Sequence, residues 1–529
     1  MRNWIPGPSI LAVALALALG IPGPAALAQV GERGVGLAGL EEKEDAPRED
    51  ASTPKFKKAL ELQRKGKWKA AKKLFQRILA AHPASVHAEE IEHRSGPNAF
   101  LGVELLYEGG PPERRIDISV MGDGFTIAKN DQRLERKWAD LCIKVLFTER
   151  AFKQYKNYFN FYFVRLASKE EGVDPKLSEK QRKKIETKNK NRVRKRKTEY
   201  STALDCKEAG PQKQVMADRR LVYKWLGIAG KDMPGCAADR QVIAFARFGI
   251  LGMGGGGIAN VGRPDRSITV HEFGHSFVGL LDEYQGNPNP PRRKIFAPNA
   301  STTSDPKKVP WAHFLEKKVT GVGVFEGGAT HTKGVWRPAR SCAMNSAGNS
   351  GYCPVCREAT ILRIYAYVNP IDLSSPDHEE PLTVEARSKT VLSVTPMRPK
   401  QHKLLVSWFV ETSSGEPIAD ETPAPEPSRD GYARPKQDGE WWRRRMMGGP
   451  RGRGDRSDYK GKVRGEPSTL GRTVNGKPPT HIFPVSRLDP GHYRITAVVR
   501  DPTAWVLKDP QHLLEERRTW TVTVEPKAR

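Results

Sequence analysis

The sequence predicts an α+β protein: a mixed sheet packed against helices, preceded by a helical hairpin and followed by a β-sandwich. Three patterns carry that reading. Apolar residues recur at helical spacing from Lys55 to Pro83, strand-like and helix-like runs mix between Ile116 and Leu281, and beyond Pro376 the alternation turns strand-like. The 529 residues are ample for about two to four domains.

In chain order, residues 1–28 read as a secretory signal: Arg2 in a short n-region, an apolar run from Ile10 to Ile21, and Ala26-Leu27-Ala28 as a cleavage site. The run is short for a membrane span. No cysteine follows the site, which argues against a lipoprotein, and no later stretch could span a bilayer. The expected location is outside the cytoplasm: secreted, periplasmic or on the cell surface. Residues 29–54 are charged and linker-like. Residues 55–95 contain Gly66, Trp68, Ala71, Phe75 and Pro83 in a pattern resembling one tetratricopeptide-type hairpin, with a simple helical spacer as the alternative. Residues 96–375 form the expected main domain. Its strands are Ile116–Met121, Tyr158–Val164 and Val242–Phe248, with a helix through Leu134, Trp138, Leu141, Val145 and Leu146. Residues 376–529 read as an immunoglobulin- or fibronectin-like sandwich carrying a Pro-, Gly- and charge-rich disordered insertion at 413–472.

The string SITVHEFGHSFVGLLDEY points to chemistry. His271 and His275 share one helix face, so both imidazoles can reach one metal ion, and Glu272 stands beside them as a base for an activated water. Zinc suits imidazole donors. Gly279 can end the helix, and Asp282 follows as the choice for a third ligand, with Glu283 in reserve. Met344, in Ser341-Cys342-Ala343-Met344-Asn345-Ser346, suggests a Met-turn beneath the metal. The pattern is metzincin-like, with two departures: the glycine after the second histidine comes one residue late, and the third ligand is Asp rather than His. Tyr284 and Tyr352 are candidate catalytic donors to an oxyanion. Gly254, Gly255, Gly256 and Gly257 are candidate substrate-binding residues, because glycines let another backbone approach closely; a plain flexible loop is the alternative.

Together these residues resemble the bacterial IgA-peptidase-type zinc metallopeptidases. The likeness is carried by IDISVMGDGFT (116–126), YKNYFNFYFVRLAS (155–168), STALDC (201–206), HEFGHSFVGLLDEY, VGVFEGG (322–328) and GVWRPARSCAMN through CPVCREA (334–359), over about Arg115 to Val368. The resemblance implies a zinc-dependent endopeptidase with one catalytic Zn²⁺, His271 and His275 as ligands, Glu272 as general base, and a protein or peptide as substrate. Two rivals stand beside it: an inactive binding or adhesion protein on the same scaffold, and a cell-wall peptide amidase.

Six cysteines permit three bridges in an exported chain. Cys342, Cys353 and Cys356 also invite a second-metal reading, but no fourth ligand is evident, so disulfide or free-thiol roles are expected. The net charge of +27 is concentrated in the basic insertion 176–198 and in the stretch from Trp441. Without base-stacking aromatics in that insertion, the basic segments read as solvated surfaces for an anionic envelope, an anionic cell-surface glycan or an acidic substrate rather than for specific nucleic-acid binding. Arg453-Gly454-Asp455 is given no role.

Overall fold

The computed structural model describes residues 49–190, 197–209, 213–345, 351–412, 417–418 and 480–527. The signal segment, most of the 29–54 linker, the stretch from Trp441, the Arg453-Gly454-Asp455 triplet and nearly all of the 413–472 insertion lie outside the described residues. The chain opens with helices α1 (Thr53–Arg64), α2 (Trp68–Ala81) and α3 (Ala88–Ser95). Gly66, at φ +69°, makes the turn between the first two. Phe56, Phe75, Ile78 and Ile91 give these helices a small core of their own. Gln63 Nε2 donates to the Phe100 carbonyl at 2.8 Å, and the Arg165 guanidinium lies over the Trp68 ring, so they rest on the neighbouring sheet.

That sheet contains β1 (Ala99–Tyr107), β2 (Ile116–Asp123) and β3 (Phe159–Ala167). Helices α4 (Lys129–Leu146) and α5 (Arg150–Gln154) lie between β2 and β3 in the chain. After β3 come α6 (Glu179–Lys190), the small hairpin β4 (Lys207–Ala209) and β5 (Gln214–Met216), then α7 (Arg219–Asp232) and α8 (Gly235–Ala238). Strands β6 (Gln241–Ala246), β7 (Met253–Gly255) and β8 (Ile258–Val261) complete the sheet in the order β1-β3-β2-β6-β8-β7. The central pairs are parallel and the two terminal pairs antiparallel. Both faces are covered, which explains the near-continuous apolar runs. Ile116, Ile118 and Val120 face one core with Phe161, Phe163 and Phe245, while Met121, Tyr162, Val164 and Val242 face another with Trp225.

Helix α9 (Arg266–Phe273) follows, and then a second sheet of β9 (Gln285–Asn287), β10 (Phe296–Ala297), β11 (Ala300–Ser301), β12 (Phe325–Gly328) and β13 (Thr330–Arg337). Helices α10 (Ala312–Glu316) and α11 (Pro354–Tyr365) complete this region. The C-terminal part holds β14 (Ile371–Ser375), β15 (Leu382–Glu385), β16 (Val391–Pro396), β17 (Leu405–Thr412), β18 (Pro417–Ile418), β19 (His481–Pro484), β20 (Gly491–Arg500) and β21 (Glu515–Glu525). They form a sheet β14-β16-β19 and a sheet β15-β21-β20-β17-β18, with Leu392, Val394, Ile495 and Trp520 in one shared core. That core is continuous with the apolar face beneath α9. Buried polar links reinforce the junction. Arg115 grips Asp372 with two bonds, at 2.7 and 3.0 Å, and Asp501 accepts from Tyr155 and Tyr365 at 2.8 and 2.6 Å.

The architecture is mixed α and β with several sheets, as expected. Several strands escape the sequence patterns, β1 and β14 among them. In β1 a register shift between Phe100 and Gly102 breaks the alternation. The short β14 follows a proline and holds Asp372 and two serines. The basic insertion, expected as a solvated segment, contains helix α6, which buries none of its residues. Among the described residues no helix is long and apolar enough to cross a membrane.

Candidate metal centre

Asp265 caps helix α9: its carboxylate accepts from the Ile268 N–H at 2.9 Å and from Ser267 Oγ at 2.7 Å. Val270 and Phe273 are buried beneath it, and Phe273 stacks on Phe277 with ring centroids 5.1 Å apart. The helix does not continue as α through the second histidine. Gly274–Val278 forms a π turn, closed by Gly279 at φ +81°. Such wide turns are frequent at functional sites, and here the turn carries His275.

The two imidazoles meet nearly edge to face, with centroids 4.7 Å apart. Their Nε2 atoms are 3.1 Å apart, and Asp282 Oδ1 lies 3.0 Å from His271 Nε2 and 3.1 Å from His275 Nε2. On the far side of each ring, His271 Nδ1 bonds the Ala343 carbonyl at 2.9 Å and His275 Nδ1 the Leu280 carbonyl at 2.7 Å. A carbonyl can only accept, so both Nδ1 atoms carry the proton and both Nε2 atoms turn lone pairs inward. In the neutral rings, two lone pairs and a carboxylate oxygen at this separation repel one another unless a proton or a metal ion lies among them. The donor set therefore fits a zinc-class ion: two imidazoles and one carboxylate, each held from behind by a second hydrogen bond or neighbour.

A proton and a metal ion compete for that place. Burial raises the Asp282 carboxyl, but the hydrogen bonds from His271 and His275 outweigh it and hold the group well below the usual carboxylate range. Burial lowers His271, yet Asp282 and then Glu272 carry it up to about 9. Glu272 is 8 % exposed, and burial pushes its carboxyl up while the two histidines pull it back. A carboxylate so poised suits a general base.

These groups line a cleft of about 390 Å³ together with Tyr284, Gln214 and the edge strand β7. The Tyr284 ring stacks beside His271, and its hydroxyl interacts with Asp282. Burial, then Asp282, keeps that phenol protonated. Met344 is fully buried under the π turn: a Cβ on Gly274 would come within 2.9 Å of its Sδ. A larger hollow, about 470 Å³, lies at the basic insertion beside Asp174, Arg182 and Lys207 and shares none of these residues.

Three expectations need correction. Tyr352 is not in the cleft: it is 2 % exposed, and its hydroxyl donates to the Val270 carbonyl at 2.7 Å, under the helix. Of the four glycines only Gly254 lines the cleft; Gly255, Gly256 and Gly257 carry the β7–β8 turn at positive φ, and Gly256 packs against Arg219. The missed cleft residues are Gln214, Gly252, Met253, Leu281 and Ala329. A Cβ would lie 2.2 Å from the Asn260 carbonyl at Gly252 and 2.2 Å from the Glu272 carbonyl at Gly254, so glycine is what lets the strand run against the helix. The GMGG pattern carried that signal, alternate glycines facing one side of a strand. Finally, Glu283 turns away from the histidines: it is fully buried, accepting from Asn299 at 3.0 Å and from Cys356 Sγ at 3.2 Å.

Residues 103–188 match the family model described as IgA Peptidase M64. The match supports an IgA-peptidase-type family for this chain. It bears out the resemblance read from the motifs and supports a peptidase, hence a hydrolase acting on protein or peptide. Members of that family are metallopeptidases, which accords with the converging donors. The matched segment runs from β1 to α6 and ends before helix α9. No curated protein matches the chain.

Proposed function

We propose that the protein is an exported zinc-dependent endopeptidase, with His271, His275 and Asp282 as metal ligands and Glu272 as general base. The observation that carries this reading is the convergence of three donor atoms within about one hydrogen-bond length, at a cleft where the two histidines act on the buried Glu272 carboxylate. A bound Zn²⁺ supplies Lewis acidity, polarising the scissile carbonyl and making water acidic enough to lose a proton near neutrality. Glu272 accepts that proton at a carboxylate oxygen and returns it to the leaving amine. Tyr284 offers a protonated hydroxyl to the oxygen on which charge develops. Ala343 and Leu280 hold the rings in one tautomer and orientation. β7, the terminal strand of its sheet, lines the cleft with residues suited to pairing with an extended peptide. Export rests on the signal-like residues 1–28.

Glu272→Gln is expected to keep the wild-type metal content and lose about 10³-fold in peptide hydrolysis. His275→Ala is expected to lose the ion itself. Turnover of casein by Glu272→Gln at the wild-type rate would remove Glu272 from the mechanism. Chelator-insensitive hydrolysis would remove the metal, and cleavage of purified peptidoglycan but not casein would favour the wall amidase.

A further inference from the structure

We propose that Cys342, Cys353, Cys356 and Glu283 form a second, structural metal site that takes a zinc-class divalent cation. All four side chains are buried, none more than 5 % exposed, and one donor atom from each lies within 4.8 Å of every other. Cys342 Sγ is 3.7 Å from Cys356 Sγ, and Cys356 Sγ is 3.2 Å from Glu283 Oε1. A tetrahedral zinc with metal–sulfur bonds of about 2.3 Å and metal–oxygen bonds of about 2.0 Å has edges of about 3.8 Å between sulfurs and about 3.5 Å from sulfur to oxygen. A disulfide would need its sulfurs about 2.05 Å apart. The spacing is thus that of ligands around an ion.

Charge and orphaned atoms point the same way. Glu283 Oε2 is buried with no hydrogen-bond partner, an expensive state for a carboxyl that a cation would relieve. Cys353 is the N-cap of α11 and Cys356 lies in its first turn, where the helix end favours negative sulfur. The Cys353 N–H points at Cys342 Sγ at 3.4 Å. Arg337 acts electrostatically on Glu283, and Arg357 on Cys342 and Cys353, offsetting the excess negative charge of three thiolates and a carboxylate around a dication. Four protein donors without a cleft leave no open position, which makes the site structural rather than catalytic.

Its placement gives it work. Glu283 adjoins Asp282, and its N–H bonds the Met344 carbonyl at 2.6 Å. Cys342 adjoins Ala343, whose carbonyl orients His271. One ion would therefore staple together the two segments that position the hydrolytic centre.

The test is metal content and X-ray absorption on the full-length protein purified without chelator and supplied with Zn²⁺. Wild type should hold two zinc ions per chain, with sulfur neighbours at about 2.3 Å. His271→Ala/His275→Ala should retain one, now with mainly sulfur neighbours. Cys353→Ser/Cys356→Ser should retain one at most, without sulfur. No sulfur shell in wild type, no metal in the double histidine variant, or a Cys342–Cys356 disulfide in the unreduced protein would each overturn the site. The histidine centre is read separately, because its failure alone would leave a zinc ion on sulfur in the wild type.

Discussion

Two clusters of donor atoms flank the Asp282–Glu283 peptide bond. On one side His271, His275 and Asp282 meet at 3.0 to 3.1 Å and remain 14 to 19 % exposed at the mouth of a cleft. On the other, Glu283 joins three thiols in a closed pocket. The Asp282 side chain reaches the histidines and the Glu283 side chain the thiols, so one dipeptide serves both. The contrast shows how exposure divides roles: an open set with a neighbouring base suits chemistry, while a closed set suits fixing a fold. A third buried cluster gives the counter-example. Asp501 accepts from Tyr155 and Tyr365 and pairs with His402 Nε2 at 2.7 Å, so donors match acceptors and no cation is required.

The sharpest way to break the comparison is Glu283→Ala. It should remove the sulfur-bound zinc and lower stability by about 3 kcal/mol, since metal binding here is folding free energy. The histidine-bound ion should survive, as X-ray absorption would reveal. Loss of both ions would mean that the clusters are one unit.

Next comes Asp501→Asn, which should cost about 2 kcal/mol in denaturant unfolding by leaving buried partners unmatched, with no change in metal content. Its pH dependence has a defined sign. Burial raises the Asp501 carboxyl, but His402, Tyr365 and Tyr155 bring it below the ordinary value. The stability it provides is present above the unfolded value of about 3.9 and fades as pH falls through the lower folded value. Wild type minus Asp501→Asn should show that loss only in acid. A constant difference from pH 7 down to pH 2 would refute it.

The smallest effect is Tyr284→Phe. Losing one hydroxyl at the oxyanion should reduce kcat by about tenfold or somewhat more, with KM nearly unchanged and both ions in place. A change in KM alone would make Tyr284 a binding residue.

How far the sequence reaches differs between these regions. The histidine pair was legible because a helix relates residues four apart without reference to anything else. Asp282 was legible as a choice because the turn at Gly279 returns the chain within a few residues. The alternation beyond Pro376 misled at one place, since it runs on through Arg387, whose φ of +64° marks a turn that sends β15 and β16 to different sheets. Tyr352 misled for a different reason: a tyrosine near the motif in sequence can as well brace the helix from below, and only packing distinguishes the two.

The sequence by itself determined the local parts: the helix that carries two imidazoles and a base, the glycine that stops it, and strands rich enough in apolar residues to be buried on both faces. Tertiary structure alone decided which of two neighbouring carboxylates meets the histidines. It also set which glycines touch the histidine-bearing helix, and it brought a carboxylate oxygen to the thiols from a residue 73 positions before Cys356. Local periodicity fixes which way a side chain points along its own segment. The meeting of distant segments depends on how whole surfaces pack, and no spacing along the chain encodes that.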